Sequence, residues 1–463
     1  MLGLIAYFLQ NLWFENLARP LIVTMDTTYP IANIEFPAVT LCNFNRISKK
    51  SLDKLVKKHF AKKTYKNESR AEMFMFFRQL GRLIDFSYNK TLQAQAVLHS
   101  FAKYIDEKKI DQLMEDLAPP CGEMLVRCAW AGELIDCNEN FHVQRTVHGH
   151  CCAFNLVIRD NEFGGLARTS DTIKRQYLPG QLNGLNVILD PMVDDYSYTL
   201  FNMFGFEVLI YDATHYADHN SGSMIQRIAQ PGQAAFFEIY AVKQIATEEV
   251  RKYPPTTRKC LFRDDIKERY FNMYSYSACI VRCRIKTLKS LCKCVPYYVH
   301  DLDDNYQYPK CTIDHLGCLN RYKEKLFYLY PKDATNTEGL EAEIQGALYC
   351  PECLPDCELT RHHSKHSKLP LPGVTHHNKE LSSFFFEDLN MTGKCLLSIY
   401  QGTTDGTLNR FDIVFYWFEI ISNVGGFCGI LIGFSIITIL EFVYFFVFRF
   451  FGNLFSSYYY NNY

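Results

Sequence analysis

From Ile420 to Leu440 the chain runs for 21 residues without a charge, between Glu419 and Glu441. A helix needs about 20 apolar residues to cross the hydrocarbon core of a bilayer. Backbone in lipid must satisfy its own polar groups, so such a stretch has to be helical. Apolar character continues from Phe442 to Phe451, interrupted by Arg449. The pattern predicts one long helix over 411–451, beginning outside the lipid, and a short Tyr-rich tail, 452–463.

The odd part of this segment is "GGFCGILIGFS", from Gly425 to Ser435. Glycine in a helix interior costs about 1 kcal/mol relative to alanine. Ser422, Gly426, Gly429 and Gly433 step by four, three and four residues, which puts four small residues on one helical face. Two readings fit. Small residues let helices pack closely, and small residues on an inward face also leave a lumen and bare backbone oxygens for an ion. Ser422 and Ser435 supply hydroxyls on an otherwise apolar helix. Glu419 and Glu441 flank it, and carboxylates at pore mouths concentrate cations; as helix-end residues they would equally just sit in water. Periodicity alone does not choose.

The chain has 18 cysteines, 17 of them between Cys42 and Cys395, with Cys428 in the apolar segment. Cys350-x-x-Cys353 and Cys292-x-Cys294 look superficially like zinc ligands. Three acceptor sequons argue otherwise: Asn67-Glu-Ser69, Asn89-Lys-Thr91 and Asn390-Met-Thr392. Together they place 21–410 in an oxidising, extracellular setting where cysteines form disulfides. No metal or other cofactor is expected. The net charge of −1 and the lack of a basic block give no reason to expect a nucleic-acid partner.

Between the ends the patterns are mixed. Residues 55–92 and 102–117 read as helical, and "HVQRTV", "NVILD" and "FEVLIYD" read as strands. "SYSACIVRCRIKTLKSLCKC" reads as a helix with Cys279 and Cys283 on one face. "EGLEAEIQGALYCPECLPDC" reads as a second helix ending in a Pro-containing turn. His362, His363, His366, His376 and His377 read as a polar loop. "MLGLIAYFLQNLW" at the start is apolar but short of a span, and fits either a signal-peptide core or the outer half of a membrane helix.

"FPAVTLCN" (Phe36 to Asn43) after the first apolar segment, and "GFS" (Gly433 to Ser435) six residues before Glu441, together resemble the degenerin/epithelial sodium channel family. "GHCCAFN" and the "CAWAG" around Trp130 resemble its insect pickpocket branch. The resemblance runs from about Gly3 to Phe446. It implies a membrane protein of α+β class, with two transmembrane helices flanking a large disulfide-rich extracellular domain that has a β palm and helical thumb and finger regions. Residues 1–20 would then be the remainder of a first transmembrane helix, and 452–463 a short cytosolic tail. The family has a cytosolic segment with a His-Gly pair before that helix, and this sequence is expected to be a fragment beginning inside it.

The resemblance also implies roles. Gly433, Phe434 and Ser435 match the selectivity filter, where a helix break turns carbonyls toward the ion. Ser422 matches the degenerin position, Gly429 the amiloride-contact position, and Gly425 and Gly426 line the pore. Implied disulfides are Cys42–Cys151, Cys128–Cys137, Cys260–Cys357, Cys279–Cys353, Cys283–Cys350, Cys292–Cys318 and Cys294–Cys311, the thumb ladder joining an antiparallel helix pair. Cys121 and Cys152 are left to pair with each other, and Cys395 stands alone. The implied function is a subunit of a trimeric, sodium-preferring, amiloride-sensitive cation channel in the plasma membrane, as a homomer or with related subunits. The alternative is a non-conducting, membrane-anchored, cysteine-rich receptor with its first residues removed. No Gly-x-Ser-x-Gly or His-Glu-x-x-His motif points to a hydrolase.

Overall fold

The computed structural model describes residues 2–18, 20–61, 70–88, 109–157, 173–218, 223–265, 274–298, 308–330, 336, 338–371, 385–387, 389–433 and 435–453. They form two compact units. The larger holds 25–245 and 259–409; the smaller holds 1–24, 246–258 and 410–463. Asn67, Asn89, Phe434, His376, His377 and the 452–463 tail beyond Asn453 lie outside the described residues.

The larger unit is built on two large sheets and a two-stranded one formed by its third and ninth strands. In chain order the strands are β1 (Leu21–Pro30), β2 (Ala38–Asn43), β3 (Asn45–Ser48), β4 (Leu125–Trp130), β5 (Glu133–Ile135), β6 (Phe141–Thr146), β7 (Gly149–Phe154), β8 (Leu185–Leu189), β9 (Tyr196–Thr199), β10 (Phe206–Tyr211), β11 (Ile225–Ala229), β12 (Gln233–Ala246), β13 (Leu359–Pro370), β14 (Cys395–Gln401) and β15 (Asp405–Ile413). One sheet has the order β1-β15-β12-β14-β8-β4-β5, with β13 also paired to β12; the second has the order β11-β10-β2-β7-β6. The strand-like runs in the sequence become β6, β8 and β10. Along β12, Ala235, Phe237, Ile239 and Ala241 are buried in alternation, the period-2 signature of a strand with one face inward. Ala235, Phe237 and Ile239 join Phe36, Val39, Leu41, Phe154, Val187, Phe206 and Ile399 in one apolar core.

A second core is helical. Helices Lys49–Ala61, Arg70–Gln79 and Ile110–Leu117 contribute Leu52, Phe76, Phe77 and Met114, and helix Tyr276–Cys292 contributes Leu288. The helical pattern over 55–92 thus resolves into separate short helices. Of the stretch 102–117, only Lys109 to Leu117 is described.

Two expectations need correction. The stretch from Glu338 to Cys357 is not helical as far as its Pro-containing turn. Its helix is only Glu341–Gly346, six residues, and Cys350, Cys353 and Cys357 lie in turns beyond it. Gly346, Pro351 and Pro355 cannot sustain a helix through this stretch. The ladder therefore joins one helix to a coiled strap rather than two helices: Cys279–Cys353, Cys283–Cys350 and, at its base, Cys260–Cys357. Second, His362, His363 and His366 are not in a loop. They lie on β13, which pairs antiparallel with β12 from Gln244↔Leu359 to Gln233↔Pro370. Its outer face is wet, so its composition is polar although it is a strand. His362 points inward, and burial pushes its imidazole down to about 4, so it stays neutral.

The other sulfur pairs are Cys42–Cys151, Cys121–Cys152, Cys128–Cys137, Cys292–Cys318 and Cys294–Cys311. Cys395 is buried and unpaired, and burial pushes its thiol up to about 12, which makes it inert. Asn390 is exposed, and its side chain accepts from the Thr392 N–H at 3.0 Å.

Candidate functional site in the C-terminal helix

The smaller unit carries the apolar ends of the chain. The structure differs here from the single helix expected over 411–451. Phe411 to Ile413 finish β15, and the helix starts at Trp417. It runs for 16 residues to Ile432, and a second helix begins at Ile436, continuing through a π-turn segment Tyr444–Arg449 to Asn453. Residues 436–453 are long and apolar enough to cross a bilayer, whereas Trp417–Leu431 is a shorter apolar helix. Helix Leu2–Ala18 has 17 residues, and its Phe8 ring stacks on Phe427 at 5.3 Å between centroids.

The break has a definite chemistry. Gly433 ends the first helix with φ +73° and ψ +22°. This is the left-handed region, open to glycine and costly to residues with a Cβ. The Gly433 N–H donates to Gly429 O at 2.9 Å. A helix C-terminus leaves its last carbonyls without intrahelical partners and carries the negative end of the helix dipole. On the other side, a helix N-terminus would present positive N–H groups. Here they are partly covered, because Ser435 and Thr438 cap reciprocally: Ser435 N–H donates to Thr438 Oγ1 at 3.3 Å and Thr438 N–H to Ser435 Oγ at 3.4 Å. The break thus sets a helix C-terminus beside two capping hydroxyls, and oxygen groups of these kinds suit a cation.

Ser422, Gly425, Gly426 and Gly429 all lie on the first helix and are exposed. A Cβ placed on Gly425, Gly426 or Gly433 would meet nothing within 4 Å. Packing within the chain thus does not require these glycines. The same holds for the apolar residues: Ile430 is 85% exposed and no residue of 436–453 is buried. Apolar exposure on this scale marks a surface for lipid or for another chain.

Glu419 accepts the Tyr416 N–H at 3.0 Å, so its carboxylate caps the first helix. Glu441 is exposed on the second. Three residues that spacing did not reveal also belong here. Thr438 is one. Asp412 and Thr247 are the others, 165 positions apart and joined by a 2.9 Å hydrogen bond. Thr438 was within reach of a capping pattern, since Ser435-x-x-Thr438 has the spacing of a capping box.

Comparison with known proteins agrees with this layout. Residues 1–445 match the profile of the amiloride-sensitive sodium channel family. Sodium channel protein Nach of Drosophila ananassae is 26% identical over 428 residues, covering 92% of this chain and 74% of that protein. Pickpocket protein 28 of Drosophila melanogaster is 24% identical over 478 residues, 95% of this chain and 71% of that protein. Acid-sensing ion channel 2 of Danio rerio is 21% identical over 451 residues, covering 92% and 72%. A profile that covers nearly the whole sequence, on a disulfide-rich α+β structure with an interrupted apolar helix near its C-terminus, settles the family: the chain belongs to the amiloride-sensitive sodium channel family.

Proposed function

We propose that the chain is a subunit of a trimeric, sodium-preferring, amiloride-sensitive cation channel of the plasma membrane, crossing the bilayer with helix Leu2–Ala18 and with the interrupted helix 417–453. The carrying observation is the break between Gly433 and Ser435, which ends one apolar helix in a left-handed glycine and caps the next with the hydroxyls of Ser435 and Thr438. Three such breaks around an axis would replace part of the hydration shell of a small cation. In this reading Gly433, Phe434 and Ser435 form the filter, with Gly425 and Gly426 lining the pore above it. Gly429 contacts the blocker, Ser422 stands at the closing constriction, and Glu419 and Glu441 stand at the two mouths. The extracellular unit carries glycans on Asn67, Asn89 and Asn390. No catalysis is involved.

The test is whole-cell recording from cells expressing the protein at the surface. External sodium is replaced first by potassium and then by a large organic cation, with and without amiloride. A current blocked by amiloride, with a reversal potential that follows sodium, is expected. Surface protein with no such current in any activating variant would favour a non-conducting receptor.

A further inference from the structure

We propose that Asp412 is a positioning residue through which the extracellular segment Ala246–Arg258 holds the start of the pore helix. Its carboxylate is shared by three parts of the smaller unit. Oδ1 accepts from the Thr247 hydroxyl at 2.9 Å, from the Tyr416 hydroxyl at 2.9 Å and from the Ile413 N–H at 2.8 Å. Oδ2 accepts from Tyr416 at 3.1 Å and faces Arg410 Nε at 3.5 Å. Tyr416 is the residue from which the pore helix starts, and its own N–H is held by Glu419. One carboxylate thus joins the 246–258 segment, the last strand and the first turn of the helix.

Thr247 supplies the second observation. It occupies the N-cap position of helix Glu248–Arg251, where a threonine ordinarily turns its oxygen onto that helix's own N–H groups. Here it makes no such bond, and its hydroxyl goes to Asp412 instead. The Thr247 N–H donates to Phe411 O at 3.0 Å, adding a backbone bond beside the side-chain one. On its other flank the same strand is held by Val414 N–H to Pro20 O at 2.9 Å and by Thr24 Oγ1 to Arg410 O at 3.4 Å. The strand leading into the pore helix is therefore fixed to both neighbouring segments, and Asp412 is where the hydroxyl bonds converge. Hydrogen bonds to a charged acceptor are stronger than neutral ones. A displacement of 246–258 reaches the first turn of the helix through a short, stiff link.

The functional part of this inference rests on the channel reading above, so the test has one arm independent of current. In that arm the full chain in detergent is compared with Thr247→Val by hydrogen exchange and mass spectrometry. Thr247→Val removes one hydroxyl and leaves the pore helix untouched. Faster exchange in the peptides covering 413–423 is expected, by about tenfold if one charge-assisted bond is lost. Unchanged exchange there would overturn the proposal whatever the channel conducts. In the second arm, current per surface channel is measured for Thr247→Val, Tyr416→Phe, their double variant and Asp412→Ala. The singles should move resting current in one direction with an unchanged reversal potential, and the double should match Asp412→Ala rather than the product of the singles. Independent, multiplying effects would overturn it. Absence of current from every version, with the exchange result intact, would count against the channel reading and not against the link.

Discussion

Gly433 carries the break, and its backbone says why it must be glycine. At φ +73° a residue with a Cβ pays roughly 1–2 kcal/mol. Gly433→Ala should strain or straighten the junction and lower sodium current per surface channel by about tenfold, since about 1.4 kcal/mol is a factor of ten. Gly452→Ala serves as the control, because Gly452 lies in regular helix with open space around it. Equal currents and reversal potentials in the two variants would show that the break is not the filter. Sequence spacing put Ser422, Gly426, Gly429 and Gly433 on one face of a continuous helix, whereas Gly433 stands past the end of the first helix. Spacing could not tell which glycine leaves helical geometry, because all look alike in one dimension. Asp412 and Thr247 were out of reach for a different reason: their partnership joins residues 165 apart through no local pattern.

Among the elements, helix Tyr276–Cys292 shows how far local pattern carries. Its extent was legible from apolar periodicity and from Cys279 and Cys283 one turn apart. The helix in its partner segment is shorter than the sequence reads, Glu341–Gly346, and the ladder cysteines lie in the turns beyond it, because the helix stops at Gly346 before the prolines are reached. Non-reducing peptide mapping should recover Cys279–Cys353 and Cys283–Cys350; free thiols at all four would contradict the ladder. The start of this helix is also tied to a buried histidine. Asp356 accepts the Tyr276 N–H at 3.1 Å and faces His215 Nε2 at 3.0 Å, while Asp212 Oδ1 lies 3.9 Å from His215 Nδ1. Burial pulls the imidazole down. The Asp356 hydrogen bond and the charges of Asp212 and Asp356 outweigh it, so the group sits above its ordinary 6.5 despite the repulsion of Arg263. A folded-state value above the unfolded one means that the contribution to stability is complete below pH 6.5 and is lost as pH rises through the folded value. Melting temperature of the detergent-solubilised protein should therefore fall as pH rises above the ordinary imidazole value of 6.5, and His215→Gln should flatten that slope. Parallel slopes would rule His215 out as the cause.

At the scale of the whole molecule, much was legible: an apolar C-terminal segment, and a cysteine-rich middle whose thiols pair as disulfides. What one chain leaves unexplained is an exposed apolar surface, Ile430 and residues 436–453 with the exposed glycines of the preceding helix, of the kind that lipid or another chain covers. That gap bears on Ser422. The residue is exposed, and the glycine positions on either side of its face have open space. A larger side chain at Ser422 would therefore disturb nothing inside its own subunit. It would be felt only where copies of the helix meet. If three copies converge to shut the pore, Ser422→Phe overpacks the closed state, and overpacking typically costs about 1–3 kcal/mol. The open state, with the helices apart, is spared. Even the lower figure, borne by a mostly closed equilibrium, raises the open fraction several-fold, because about 1.4 kcal/mol is tenfold. Ser422→Phe should therefore give a constitutive, amiloride-blocked sodium current at unchanged surface level. Ile430→Phe, at the most exposed apolar position of the same helix, should not. A Ser422→Phe protein that folds, reaches the surface and leaves resting current unaltered would place the constriction elsewhere and return the glycine row to a role in close helix packing.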